Sequence, residues 1–185
     1  MRASAIQKIL PTYIYNEVLS KKNVIENEIL KFINFQENKF FKAFPEDEFT
    51  YLYAPYERWE KSIIEDHSMI NLKKEILRCV EEYKNKTPFK GRPKIIDSWM
   101  VKYEKNNLSK IHHHPREGIS GCYYYKTTNS PGNGDFYFQD SWKNNHTIVP
   151  KEGQLILFPS WLNHGVTINK TDKTRMCLAF NITFD

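Results

Sequence analysis

At 185 residues, the chain is long enough for one domain with a substantial core and short for two. Twelve Phe, eleven Tyr and four Trp, within a 40% apolar composition, exclude an intrinsically disordered protein. The net charge of +5 is a mild excess spread along the chain, so it gives no indication of nucleic-acid binding.

The pattern changes near residue 90, dividing an expected single domain (1–185) into a helical support region (1–94) and a β core (95–185). Ser20–Phe35 is predicted to be a helix, with Val24, Ile25, Ile29, Phe32 and Ile33 as its apolar stripe and Ser20 as its N-cap. Ala43–Trp59, rich in aromatics and prolines, reads as irregular, and residues 40–59 are placed to cover a site as a lid. Ser68–Tyr83 is a second helix, with Met69, Leu72, Ile76, Leu77 and Val80 on one side. Lys84–Lys94, punctuated by Pro88, Gly91 and Pro93, is a connection.

Short strands follow at Ile95–Tyr103, Lys110–His114, Ile119–Lys126, Asp135–Gln139, His146–Val149, Gln154–Phe158, Gly165–Ile168 and Thr174–Phe184. Turn signals separate them at SPGNG (130–134), KEG (151–153) and NKTDK (169–173). So many short strands in about 90 residues imply a mainly β fold, a sandwich or jelly roll backed by helices. Alternation over Thr174–Phe184 puts Arg175, Cys177, Ala179 and Asn181 on one face.

Gln7, Lys8 and Pro11 interrupt any signal-peptide core near the start, and no run of about 18 apolar residues occurs, so no membrane partner is expected. Cys79, Cys122 and Cys177 are widely spaced, with no CxxC pair, and read as reduced thiols of a cytoplasmic protein. Oligomeric state leaves no mark in the sequence.

The chemistry concentrates in the histidines. His112 and His114, at i and i+2 on a strand, share a face and form a good metal-binding pair, and His164 follows a distant segment that could lie alongside. The plain alternative is polar residues facing water, with His164 a hydrogen-bonded core residue. His113 points the other way, as a supporting or solvent-facing residue, while His67 and His146 lack clustered partners. Arg175, inside the apolar run TRMCLAFNI, needs either an anionic ligand or an internal carboxylate. Tyr103, on the strand leading to the histidines, could serve the same anion.

Together, HHHPREGISGCYYY (112–125), GDFYFQD (134–140), GQLILFPSWLNHGV (153–166) and RMCLAFNI (175–182) resemble the iron(II)- and 2-oxoglutarate-dependent oxygenases, specifically a bacterial and phage family with an HxHP motif. The resemblance covers most of residues 95–185 and implies a double-stranded β-helix. It implies Fe(II) held by His112, His114 and His164, 2-oxoglutarate held by Arg175 and Tyr103, and O2 as oxidant. It further implies hydroxylation of a small molecule or peptide side chain, with release of succinate and CO2. His114 stands where the superfamily usually has a carboxylate, which makes zinc a competitor. Cys177 stands where many relatives have Ser two residues after the Arg.

Two other readings remain. A cupin-type three-histidine metalloenzyme, a thiol dioxygenase or isomerase, fits Gly153, Pro159 and His164. It meets Trp161 where a second Gly belongs, finds Glu117 one residue short of the usual offset, and leaves Arg175 unexplained. A non-catalytic β-helix module is the other. Trp99, Tyr123, Tyr125, Phe136, Phe138 and Trp142 are candidates for the barrel mouth, against ordinary packing.

Overall fold

Two hydrophobic periods, 3.6 in the first half and 2 in the second, build a helical layer and two sheets. The computed structural model describes residues 12–35, 41–42, 51–53, 62–115 and 118–185. Its elements are β1 (Tyr15–Val18), α1 (Lys22–Phe35), β2 (Phe41–Lys42), β3 (Tyr51–Tyr53), α2 (Ile63–Asp66), α3 (Ile70–Lys84) and β4 (Pro93–Tyr103). They continue with β5 (Ser109–His112), β6 (Ile119–Lys126), β7 (Phe136–Gln139), β8 (Asn145–Ile148), β9 (Gln154–Pro159), β10 (His164–Val166) and β11 (Arg175–Phe184).

The strands form a seven-stranded sheet in the order β1-β9-β6-β11-β4-β3-β2 and a four-stranded sheet in the order β5-β10-β7-β8. All named strand pairs are antiparallel. This is the jelly-roll architecture expected, a mainly β fold with helices from the N-terminal half packed on it.

Alternation along the central strands separates two cores. Leu155 and Leu157 of β9, with Met176, Leu178, Phe180 and Ile182 of β11, pack against Ile25, Ile29, Leu72, Ile76 and Val80 of the helices. Their sequence neighbours Ile156, Phe158 and Cys177 face the other way, toward Phe136 and Phe138 of β7 and Val166 of β10. The large sheet is therefore covered on both faces, which is why β6 and β9 read as continuous apolar runs.

Several boundaries differ from expectation. Helix α1 starts at Lys22 with Ser20 in the preceding turn, and Val24 is exposed while Ile25 takes the buried position. Ser62 caps the short α2, which the periodicity does not reveal because a single turn shows no repeat. Helix α3 has no side-chain cap of its own. Glu28 of α1 takes that role, accepting the Asn71 and Leu72 N–H groups at 2.9 and 3.1 Å. The expectation of a lid over 40–59 falls outside the described residues, apart from the backbone of β2 and β3.

A charge cluster ties the helices to the edge of the large sheet. Glu75, buried on α3, accepts from Lys21 Nζ at 2.9 Å and Arg78 Nε at 2.8 Å. Arg78 also reaches Glu17 of β1 at 2.9 Å. These cations, Lys21 foremost, hold the Glu75 carboxyl below its ordinary value of 4.5 despite burial. A lowered folded pKa contributes stability that is present above pH 4.5 and is lost as pH falls through the folded value. Glu75→Gln should therefore lower stability at neutral pH by roughly 1–3 kcal/mol and flatten the acid limb of the melting curve. Thermal melts between pH 7 and 3 check this, and an unchanged pH profile would remove Glu75 from the acid response.

Candidate metal centre

The two sheets bring the three singled-out histidines together. His112 ends β5 and His164 begins β10, and the two are direct cross-strand partners. His114 follows β5 in irregular backbone, its N–H bonded to the Ser160 carbonyl at 2.9 Å. The strand thus ends sooner than expected, and it is the Ser160 contact, not strand alternation, that places His114 beside His112. One ligand nitrogen from each imidazole lies within 4.8 Å of the others. Ring centroids are 4.3 Å apart for His112–His164, 5.2 Å for His114–His164 and 5.5 Å for His112–His114.

Hydrogen bonding fixes which nitrogen each ring offers. His112 Nδ1 lies 2.8 Å from the Lys110 carbonyl, and His164 Nδ1 lies 2.8 Å from the Leu162 carbonyl. A carbonyl only accepts, so Nδ1 carries the proton in both rings and Nε2 keeps a free lone pair. Burial, reinforced by the His112 and His114 rings, holds the His164 pKa well below its ordinary value. Its ring is neutral, the form a metal requires. Among the described residues this is the one cluster of His, Cys, Asp and Glu with such spacing. His113 is exposed, His146 pairs with Asp140 at 3.1 Å, and His67 packs on Phe32 and Phe35.

The histidines open into a cavity of about 530 Å³ between the sheets, lined also by Trp99, Tyr103, Ser109, Cys122, Arg175 and Cys177. Arg175 is only 1% exposed. Its guanidinium stacks over the rings of Tyr103 and Tyr124, 4.5 and 5.0 Å from their centroids. Nη1 reaches the Cys177 sulfur at 3.4 Å, Nε has no partner, and no carboxylate of the described residues pairs with it. The internal ion pair considered from sequence is therefore not formed there. Gly134, at φ +71°, lets the 130–134 turn close on this side chain: a Cβ there would stand 3.0 Å from Arg175 Cδ.

Tyr103, directly across from Arg175 in the β4–β11 register, hydrogen-bonds Ser109 Oγ at 2.7 Å. Burial raises its pKa to about 12 although Arg175 opposes the shift, so the phenol keeps its proton. Burial likewise raises the Cys122 thiol to about 12. Tyr124 Oη is buried with no partner. Ser109 and Tyr124 were not singled out by sequence, since their place beside Tyr103 and Arg175 becomes visible only once strands are paired.

Of the aromatic candidates for the mouth, Trp99 and Phe136 line the cavity. Tyr123 is buried on the helix side of the sheet and Tyr125 packs there too, because odd-numbered residues of β6 face away from the histidines. Phe138 belongs to the inter-sheet core, whereas Trp142 is 82% exposed in the β7–β8 turn. Trp161, in the loop before His164, is 58% exposed. Glu117 lies outside the described residues.

Residues 97–181 match a family model described as "Putative 2OG-Fe(II) oxygenase". No curated protein matches the chain. Solved structures share the fold at low identity. A Pseudomonas putida prolyl-4-hydroxylase aligns with TM-score 0.64 and 11% identity, over 93% of this chain and 92% of that one. HygX from Streptomyces hygroscopicus, with nickel and 2-oxoglutarate bound, aligns with TM-score 0.65 and 11% identity over 94% and 82%. The non-heme alpha-ketoglutarate-dependent epimerase SnoN from nogalamycin biosynthesis aligns with TM-score 0.69 and 11% identity over 94% and 77%. The matched segment, residues 97–181, is the jelly-roll core that carries the three histidines and Arg175, and it is similar to the 2OG-Fe(II) oxygenase family.

Proposed function

We propose that the chain is an Fe(II)- and 2-oxoglutarate-dependent hydroxylase acting on a small molecule or a peptide side chain. One observation carries this reading: a fully buried Arg175, with no carboxylate partner among the described residues, shares a cavity with three imidazoles whose ligand nitrogens converge. An unpaired buried guanidinium is costly, and a bound carboxylate relieves that cost. Three converging imidazole nitrogens suit a divalent metal.

His112, His114 and His164 would hold iron through Nε2, each with Nδ1–H engaged by a protein acceptor. Bound there, iron(II) with 2-oxoglutarate and O2 supplies the oxidising chemistry, with succinate and CO2 as co-products. Arg175 anchors the far carboxylate of 2-oxoglutarate, and Tyr103, its hydroxyl held by Ser109, adds a donor on the same side. Trp99, Phe136, Phe158 and Val166 line the remaining walls and keep water from the reacting centre. The helices of the N-terminal half act as the support layer of this single oxygenase domain.

The similar folds include enzymes named for a prolyl residue and for a step in nogalamycin biosynthesis, which supports both substrate classes. The epimerase among them shows that this fold also serves outcomes other than hydroxylation. Three buried free thiols fit a reducing compartment, the cytoplasm. No helix of the described residues is long and apolar enough to cross a membrane.

Two substitutions test the ligand sets separately. His164→Ala should abolish stoichiometric Fe(II) binding, measured anaerobically by equilibrium dialysis; full retention of iron would remove His164 from the site. Arg175→Ala should leave iron binding within a few-fold while weakening 2-oxoglutarate by roughly one to two decades, the worth of a charge-assisted bidentate pair. An anaerobic titration following the visible metal-to-ligand charge-transfer band reads this directly. Equal loss of both ligands would make Arg175 structural, and iron binding without any band would favour the cupin-type reading.

A further inference from the structure

We propose that Asp97 and Asn181 are positioning residues for His114, a carboxylate–amide relay that fixes which nitrogen the third imidazole presents to a metal. The inference deepens the three-histidine reading and rests on it.

His112 and His164 have their tautomers set by backbone carbonyls. His114 differs: among the described residues its Nδ1 meets two side chains, Asn181 Oδ1 at 2.7 Å and Ser120 Oγ at 2.9 Å. Each of those partners could act as donor or acceptor if turned around, so neither alone determines the tautomer. Asp97 removes the ambiguity. Its Oδ1 accepts from Asn181 Nδ2 at 2.7 Å. A carboxylate only accepts, so the amide of Asn181 must present Nδ2 to Asp97 and Oδ1 to His114. An amide oxygen only accepts in turn, so His114 carries its proton on Nδ1 and keeps the Nε2 lone pair for a metal. Ser120 Oγ donates to the same Asn181 oxygen, at 2.6 Å, and cannot rotate the amide.

The relay is built into the sheet. Asp97, Asn181 and Ser120 are direct cross-strand neighbours on β4, β11 and β6. Asp97 and Asn181 are 6% and 7% exposed. Asn181 also shares the cavity-side parity of Arg175 on β11, so one strand carries both the anion-binding cation and the support for the third histidine. Water has little access to substitute for either hydrogen bond, and a buried carboxylate is retained at a cost that its polar partners must offset.

The test is a Co(II) titration of the full chain, read by the visible d–d bands, with each variant's folding checked by thermal melt. Asn181→Ala should weaken Co(II) binding by about 10- to 100-fold, the usual effect of losing the hydrogen-bond partner of a ligating histidine. Asp97→Asn keeps the size and one acceptor but allows the Asn181 amide to turn, and should weaken binding by about 10-fold while the protein stays folded. In a His114→Ala background, Asn181→Ala should change Co(II) affinity less than about 2-fold, because the residue acts through His114. The same loss in both backgrounds would make Asn181 merely structural and overturn the relay. Wild-type affinity in both Asn181→Ala and Asp97→Asn, with affinity lost in His114→Ala, overturns the relay alone. Wild-type affinity in His114→Ala itself overturns the three-histidine reading and the relay with it.

Discussion

The period of two along β11 is the constraint on which the rest of this molecule depends. The strand is paired on both sides over most of its length, with β4 and with β6, so its register cannot slip without turning every side chain over. Met176, Leu178, Phe180 and Ile182 face the helices and are buried there. Their neighbours Arg175, Cys177 and Asn181 are thereby delivered to the opposite face, against the cavity and the histidines. The apolar cost of misplacing four large side chains is what forces a guanidinium and an amide into the interior. Function rides on the packing of residues that never touch the site.

The same logic explains how the rest of the site is assembled. β5 and β10 belong to the small sheet, and their pairing sets His112 opposite His164. His114 lies beyond β5 and is held from the large sheet, through Asn181 and Ser120. The three imidazoles therefore report on the relative placement of both sheets, and Phe136, Phe158 and Val166 between them keep that placement fixed. A cluster that draws ligands from both layers needs a close-packed interior more than it needs any one loop.

Much of this was legible in the sequence, and for definite reasons. The strand positions of the second half followed from turn residues and apolar runs, and the face of β11 followed from alternation alone. The three histidines stood out because HHH and His164 are rare residue types in a suggestive arrangement. What the sequence concealed was pairing. Asp97, Ser120 and Asn181 lie 23 and 61 residues apart along the chain and meet only across neighbouring strands. The strand β1 and the one-turn α2 were too short to show a period, and Glu28 capping a distant helix is a tertiary solution with no local signature. Tyr123 and Tyr125 were candidates for the mouth against ordinary packing, and β6 register settles them as packing on the helix side.

The relay also bears on charge. A divalent cation held by the histidines would, with the Arg175 guanidinium, bring three positive charges to one buried cavity, and a bound dicarboxylate would offset two of them. With two histidines and a carboxylate as ligands, the ligand set removes the third. Three neutral imidazoles do not, so the remaining charge needs an anion elsewhere within the same low-dielectric region. Asp97 is a buried carboxylate coupled to His114 through a single polarisable amide. It lies behind His114, two hydrogen bonds removed from the ligand ring, and holds the amide that orients that ring.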